Sequence, residues 1–365
     1  MRLAHLWLAD FRNYRQAELL PAPGLTAVVG DNGQGKTNLL EAVGYLATLA
    51  SFRGAPGDAL VRAGADQAVV RAEVESDGRT VLVEAALAVT GRDRVLVNRQ
   101  PVRRTRDLLG TVRTTVFSPD DLALVKGGPS ERRRLLDDTV VACVPRHDGT
   151  RTDLERILRQ RTALLKQAGG RLTPEVEATL DVWDAKLAEV GEALGRARDR
   201  LVARLGPVVA AAYDLVAQAS AEVQLGYEAP WREVGLASAL AGARTDDVRR
   251  GVSTVGPHRD DLVLVVNGLP ARSHASQGEQ RSLALALRLA THVVVTEVVG
   301  EAPILLLDDV FSELDPGRSE ALLGALPPGQ ALLTTAGPLP AGAEPGLVVR
   351  VANGAIVANG AIIER

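Results

Sequence analysis

Gly30-Asp31-Asn32-Gly33-Gln34-Gly35-Lys36-Thr37 have the types and spacing to hold a chain of phosphates. They fit the pattern G-x-x-x-x-G-K-[ST]. Glycines in such a loop let successive backbone N–H groups turn inward around phosphate oxygens. Lys36 would neutralise the outer phosphates, and the Thr37 hydroxyl would ligate Mg²⁺. The chain has only four lysines (Lys36, Lys126, Lys166 and Lys186), so a lysine at this spot stands out against an arginine-rich background. Two further groups suit the same chemistry. Ile304-Leu-Leu-Leu307 is followed by Asp308 and Asp309, a pair able to hold Mg²⁺ through water (Asp308) and to orient an attacking water (Asp309). Ser276-Gln-Gly278-Glu279-Gln280 opens an apolar stretch, where a hydroxyl and free N–H groups at a helix start can meet an anion.

These residues need a frame. Thr26-Ala-Val-Val29 reads as a short strand, and Leu39, Leu40, Val43 and Leu46 recur at helical spacing, so the glycine loop lies between strand and helix. Ile304–Leu307 is a continuous apolar run that suits a buried parallel strand. Leu3 to Leu8 is a further strand, and residues 68–98 alternate as meandering strands broken at Asp77-Gly78 and Thr90-Gly91. From about Asp153 to Ser220 the pattern is helical. Val176, Leu180, Trp183, Leu187, Val190, Leu194, Ala197 and Leu201 form a heptad-like seam, and Gly169-Gly170 with Thr173-Pro174 supply a break and a helix start. That stretch is either an ordinary helical bundle or a short antiparallel arm inserted in an α/β domain. Leu262–Val266 is a strand, Gly278–Val299 a helix and residues 338–347 a loop, while the last segment alternates as if to finish a sheet.

Composition sets the outer bounds. The 365 residues are 46% hydrophobic and 24% charged, which allows a sizeable core of one to three domains. The net charge of -3 gives no global signal for nucleic acid, although Arg99, Arg103, Arg104 and Arg106 form one local basic run and Arg132 to Arg134 another. Such a run is either a solvated face or a stripe that follows a DNA backbone. The single Cys143 rules out an internal disulfide and suits a reducing compartment. Arg2, Asp10, Arg12, Arg15 and Glu18 interrupt any signal-peptide core, and no apolar run approaches the roughly 20 residues of a membrane helix. A soluble, cytoplasmic protein without a membrane partner is the expectation.

Taken together, the glycine loop, S-x-G-E-Q, the Asp308-Asp309 strand and the downstream Ser312-Glu-Leu-Asp315 resemble the ABC-type ATPase head. Within that group the chain is most similar to the RecF family of SMC-like heads. Leu6-x-Leu8-x-x-Phe11-Arg12-Asn13-Tyr14, Val116-Phe-Ser-Pro-Asp-Asp-Leu122, Gly128-Pro-Ser-Glu-Arg-Arg-Arg-Leu-Leu-Asp137 and Gly256-Pro-His-Arg-Asp-Asp261 carry that likeness, which extends from residue 6 to 315. The resemblance implies an α/β P-loop NTPase of ABC/SMC-head type. Lobe I would comprise residues 1–125 plus 300–365. Lobe II, 126–299, would be helical, with short antiparallel arms over about 153–220 and the signature motif. It implies that Gly30 to Thr37, Arg12, Ser276, Gly278 and Gln280 contact ATP, that Thr37 and Asp308 hold Mg²⁺, and that Lys36 and Asp309 act in hydrolysis. It further implies an ATP-dependent homodimer in which Ser276 of one subunit caps the γ-phosphate on another, with Ser312–Asp315 lining the seam; His258 and Arg259 are candidates for the same seam or for a structural hydrogen bond and ion pair. Arg103, Arg104 and Arg106 are the candidates for contact with DNA. By resemblance the protein is a weak DNA-dependent ATPase of repair, recombination and replication. It would bind single-stranded and duplex DNA, work with recombination mediator proteins of the RecF pathway to place recombinase at gaps, and support the SOS response. Two departures point to slow hydrolysis: Leu332-Leu-Thr-Thr335 lacks a switch histidine, and Asp309 stands where a glutamate is usual. The rival readings are another SMC-like head, a transporter's nucleotide-binding subunit and a P-loop small-molecule kinase; the last would not need Ser276 to Gln280.

Overall fold

The apolar runs before Gly30 and Asp308 become near neighbours in one sheet. The computed structural model describes residues 1–102, 104, 107–218, 220–358 and 361–362, and the elements are numbered along the chain. The seven-stranded sheet comprises β3 (Leu25–Val29), β8 (Thr114–Phe117), β12 (Ile304–Asp308), β13 (Ala331–Thr335), β14 (Leu347–Ala352), β15 (Ala355–Ala358) and β16 (Ala361–Ile362). Its order is β16-β15-β14-β3-β13-β12-β8. The pairings from β14 to β8 are all parallel, and β15 and β16 return antiparallel. Every residue of β12 and β13 is buried, as expected for central parallel strands covered on both faces. The registers Val29↔Thr335, Thr334↔Asp308 and Leu307↔Phe117 bring the carboxyl ends of four strands to one edge.

The second sheet is antiparallel, in the order β2-β1-β4-β5-β6-β7. It contains β1 (Arg2–Phe11), β2 (Tyr14–Leu19), β4 (Gln67–Ser76), β5 (Arg79–Ala88), β6 (Arg94–Val97) and β7 (Gln100–Pro101). Ala68, Val70, Ala72 and Val74 alternate inward along β4, so one face of this sheet is core. Helix α1 (Lys36–Thr48) contributes Leu39, Leu40, Val43 and Leu46 to a single cluster with Leu6, Val70, Leu306 and Leu332, and thus packs on both sheets. The meander expected over 68–98 is present. That it forms a separate sheet with the first strand was not foreseen, because strand patterns carry no information about which strands pair.

Contacts divide the chain into two compact units: Met1–Leu122 with Ala211–Ser220 and Arg281–Arg365, and Ala123–Ala210 with Ala221–Gln280. The second unit holds α3 (Pro129–Cys143), α4 (His147–Ala168), most of α5 (Pro174–Ala217), α6 (Leu236–Arg250) and α7 (Ala271–His274). It also holds the small sheet β11-β10-β9, formed by Leu269–Pro270, Asp261–Val266 and Val223–Glu228. Helix α2 (Leu122–Lys126) starts at the division, and α9 (Pro316–Ala325) belongs to the first unit.

Helix α8 (Gln277–Val299) crosses the division at 280/281, well before the boundary expected at residue 300. Its later turns are fixed within the first unit, where Arg288 bonds Asp121 (2.6 Å) and the buried His292 Nδ1 lies 3.1 Å from Thr115 Oγ1. By length and composition α8 is apolar enough to span a membrane, contrary to the expectation that no such run exists; 67% of its most apolar stretch is buried inside the protein. It is a core helix.

The helical region settles between its two readings as a three-helix assembly. Gly169, at φ +56°, ends α4, and Pro174 opens α5 five residues later, so the two helices form an antiparallel hairpin. Leu165, Leu180 and Val248 cluster at one level, and Ile157, Leu187 and Leu240 at another. Between them Arg161 is fully buried. It donates to Asp184 on α5 (2.7 Å), to Asp247 on α6 (2.6 Å) and to Ser253 (2.8 Å). The seam read from the sequence as helix against helix therefore closes around a third helix and an ion pair.

Candidate nucleotide-binding site

The glycine loop runs from the end of β3 to the first residue of α1. Gly30, Gly33 and Gly35 take φ of +155°, +79° and +118°, a region that side chains with a Cβ rarely adopt. Gly30 has a second reason to be glycine, since a Cβ there would lie 2.3 Å from the carbonyl oxygen of Val351. Asp31, Asn32 and Gly33 are exposed, and Lys36 is buried with its Nζ donating to the Asp31 carbonyl oxygen at 2.8 Å.

The two acids meet this loop through hydroxyls. Thr37 Oγ1 donates to Asp308 Oδ1 at 2.7 Å, and Thr334 Oγ1 donates to the same oxygen at 2.9 Å. Burial pushes the Asp308 carboxyl above the ordinary carboxylate range, and these two hydrogen bonds oppose the shift. Asp309 leaves the strand at φ +50°, and its backbone N–H donates to Thr334 Oγ1 at 2.9 Å. Its Oδ1 is buried and meets no hydrogen-bond donor among the described residues. One hydroxyl on β13 therefore holds both the carboxylate of Asp308, at the end of β12, and the backbone of Asp309 just beyond it. In the sequence Thr334-Thr335 stands out only for lacking a histidine. The register Thr334↔Asp308 gives the threonine its place, and no local sequence signal announces it.

Other candidates are placed differently. Arg12, expected at the phosphates, directs its Nε and Nη2 to the buried Glu41 of α1 (2.7 and 2.8 Å) and its Nη1 to the Ala59 carbonyl oxygen (3.0 Å). Its neighbours reach the loop instead: Asn13 Nδ2 donates to the Gln34 carbonyl oxygen (2.8 Å), and the buried Tyr14 hydroxyl donates to that of Gly35 (3.0 Å). Ser276 caps α8 in a reciprocal pair with Glu279, each side chain accepting from the other's backbone N–H (3.3 and 2.7 Å). Gly278 lies in the first turn of that helix. Gln280 is buried and donates to the carbonyl oxygens of Ala271 and Arg272, so its amide fastens the preceding turn. Ser312 Oγ donates to the Asp309 carbonyl oxygen at 2.7 Å, and Asp315 caps α9 through the Arg318 N–H.

The basic runs separate. Arg104 and Arg99 are exposed, whereas Arg103 and Arg106 lie outside the described residues. In the second run, Arg132 is buried and grips Asp261 with two bonds (2.7 and 2.8 Å), and Arg133 donates to the Asp260 carbonyl oxygen (2.8 Å). Arg132 to Arg134 is thus no stripe for DNA: two of its three guanidiniums join the segment 128–137 to 256–261. His258 and Arg259 both turn to the Ser253 carbonyl oxygen.

The profile of the RecF/RecN/SMC N-terminal domain family matches residues 2–330. The DNA replication and repair protein RecF of Streptomyces avermitilis is 48% identical over 351 residues, covering 92% of this chain and 93% of the relative. That of Kineococcus radiotolerans is 47% identical over 363 residues, with coverage of 92% and 93%. Among solved structures, the recombination mediator protein RecF-ATP in the RecFOR pathway superposes with a TM-score of 0.90 at 29% identity, over 98% of this chain and 97% of the other. The Smc head of Pyrococcus furiosus matches with a TM-score of 0.58 at 17% identity, over 99% and 95%, and shares the fold.

Proposed function

The chain belongs to the RecF family, within the RecF/RecN/SMC N-terminal domain group, and from that premise we propose that it binds ATP at Gly30–Thr37 and uses it to engage DNA in repair, recombination and replication. One observation supports the reading: Lys36 and Thr37 open α1 beside the carboxyl end of β12, where Thr37 bonds Asp308 directly and the Thr334 hydroxyl bridges Asp308 to the Asp309 N–H. In α/β sheets ligands bind at the carboxyl ends of strands, where this loop and its helix start also supply inward N–H groups.

The oxygen set of Thr37 and Asp308 suits a hard divalent ion such as Mg²⁺. When bound, that ion would neutralise charge on the outer phosphates. Lys36 exchanges the Asp31 carbonyl for a phosphate oxygen. Asp309, with a free buried oxygen, accepts a hydrogen bond from the attacking water and orients it. Its short side chain and the threonine at the switch position favour slow turnover, so that ATP acts as a clamp. Ser276, exposed at the start of α8, caps the γ-phosphate held by a second copy of the chain, giving an ATP-dependent homodimer. The dimer binds single-stranded and duplex DNA in the cytoplasm, cooperates with recombination mediators in loading recombinase at gaps, and supports the SOS response.

Sedimentation with and without ATP–Mg²⁺ and gapped DNA tests this. The expected result is a doubling of mass with ATP and co-sedimentation of DNA only when ATP is present. An unchanged mass with ATP, or DNA binding indifferent to nucleotide, would overturn it.

A further inference from the structure

Two turns more than 300 residues apart in sequence meet on one residue of the glycine loop. The Gln34 carbonyl oxygen accepts from Asn13 Nδ2 at 2.8 Å and from the Gly354 N–H at 3.0 Å. The Gln34 side-chain Oε1 accepts from the Asn353 N–H at 2.6 Å. Asn13 is itself held, its Oδ1 accepting from Asn38 Nδ2 at 2.9 Å. The loop's own bracing is weaker, with Gln34 N–H reaching the Asp31 carbonyl oxygen at 3.4 Å.

The fit between the turns leaves no slack. A Cβ on Gly354 would lie 2.1 Å from the Asn13 carbonyl oxygen. Asn353 and Gly354, at φ +49° and +71°, form the tight Asn-Gly turn between β14 and β15. β14 pairs directly with β3, so the turn is delivered to the loop by the same sheet that delivers the loop.

We propose that the Asn353–Gly354 turn and Asn13 are positioning residues for the phosphate cradle. They touch no phosphate. They hold Gln34 from both sides so that the N–H groups of the loop already converge before nucleotide arrives, which removes the ordering cost from binding. The inference rests on the assignment of Gly30–Thr37 as the ATP site.

Calorimetry with ATP–Mg²⁺ on the full chain tests it with three variants. Gly354→Ala introduces both the clash with Asn13 and an unfavourable φ. Gly354→Asn keeps the clash but tolerates the φ. Gln34→Ala removes the side-chain amide whose oxygen Asn353 holds. Each is expected to weaken ATP binding about tenfold, with Gln34→Ala unfolding within a few degrees of the parent. In steady-state hydrolysis KM should rise while kcat stays within about twofold, a split that a general loss of stability does not produce. Parent-like ATP affinity in Gln34→Ala, or in folded Gly354→Asn, overturns the inference. Failure of the unmodified protein to bind ATP instead removes the nucleotide assignment itself.

Discussion

On the proposed reading, phosphate binding turns on Lys36. Its side chain is buried and its ammonium donates to the Asp31 carbonyl oxygen, an acceptor that a phosphate oxygen can replace. Lys36→Met should lower ATP affinity at least 100-fold by calorimetry; affinity near that of the parent would remove the assignment. A second residue makes a pH prediction. Burial holds the His292 imidazole down to about 4 from 6.5, and its Nε2 has no hydrogen-bond partner among the described residues. Between those values the unfolded chain binds a proton that the folded chain refuses, so stability rises with pH through the window. The contribution is complete above pH 6.5 and is lost as pH falls toward 4, by up to about 3 kcal/mol. His292→Leu should therefore flatten the fall in melting temperature between pH 6.5 and 4. An equally steep fall in both proteins would count against it. At this scale the sequence was readable where function is local. Gly30 to Thr37 is one contiguous pattern, and its meaning needs no partner strand. Thr334, Asn13 and Asn353 were not readable as site residues, because each matters only through a register or a turn closed by distant chain.

Among the elements, the α4–α5 hairpin shows how far periodicity goes. The seam from Val176 to Leu201 marked the buried face of α5, Gly169 the end of α4 and Pro174 the start of α5. Neither could reveal that Arg161, in a stretch that reads as polar surface, lies fully buried between three helices. A charged residue inside is legible only from its partners, and Asp184 and Asp247 lie 23 and 86 residues away. Removing one member of such a set leaves uncompensated charge. Arg161→Leu should destabilise the helical unit by about 3–5 kcal/mol, whereas replacing Arg161, Asp184 and Asp247 together by apolar residues should cost far less. Thermal melts followed by circular dichroism distinguish the two; equal losses would mean that the pair is not the source of the effect.

For the whole molecule, the division between the two compact units falls inside one continuous helix, α8, so the periodicity that marks the helix carries no sign of it. The signature serine at its start should matter only between subunits. Ser276→Arg is expected to bind ATP with parent-like affinity yet remain monomeric by light scattering, and ATP-driven dimerisation in that variant would show that the serine lies elsewhere. The sheet order has a consequence in time. β3 and the glycine loop are synthesised well before the strands on either side of β3, since β13 and β14 are translated roughly 300 residues later. At about 5–20 residues per second, the nascent loop waits on the order of 15–60 s for the strands that flank it. A ribosome-bound chain that has not yet reached β13 and β14 therefore carries the glycine loop with neither flanking strand of β3 in place. Strands made late decide when a loop made early is braced.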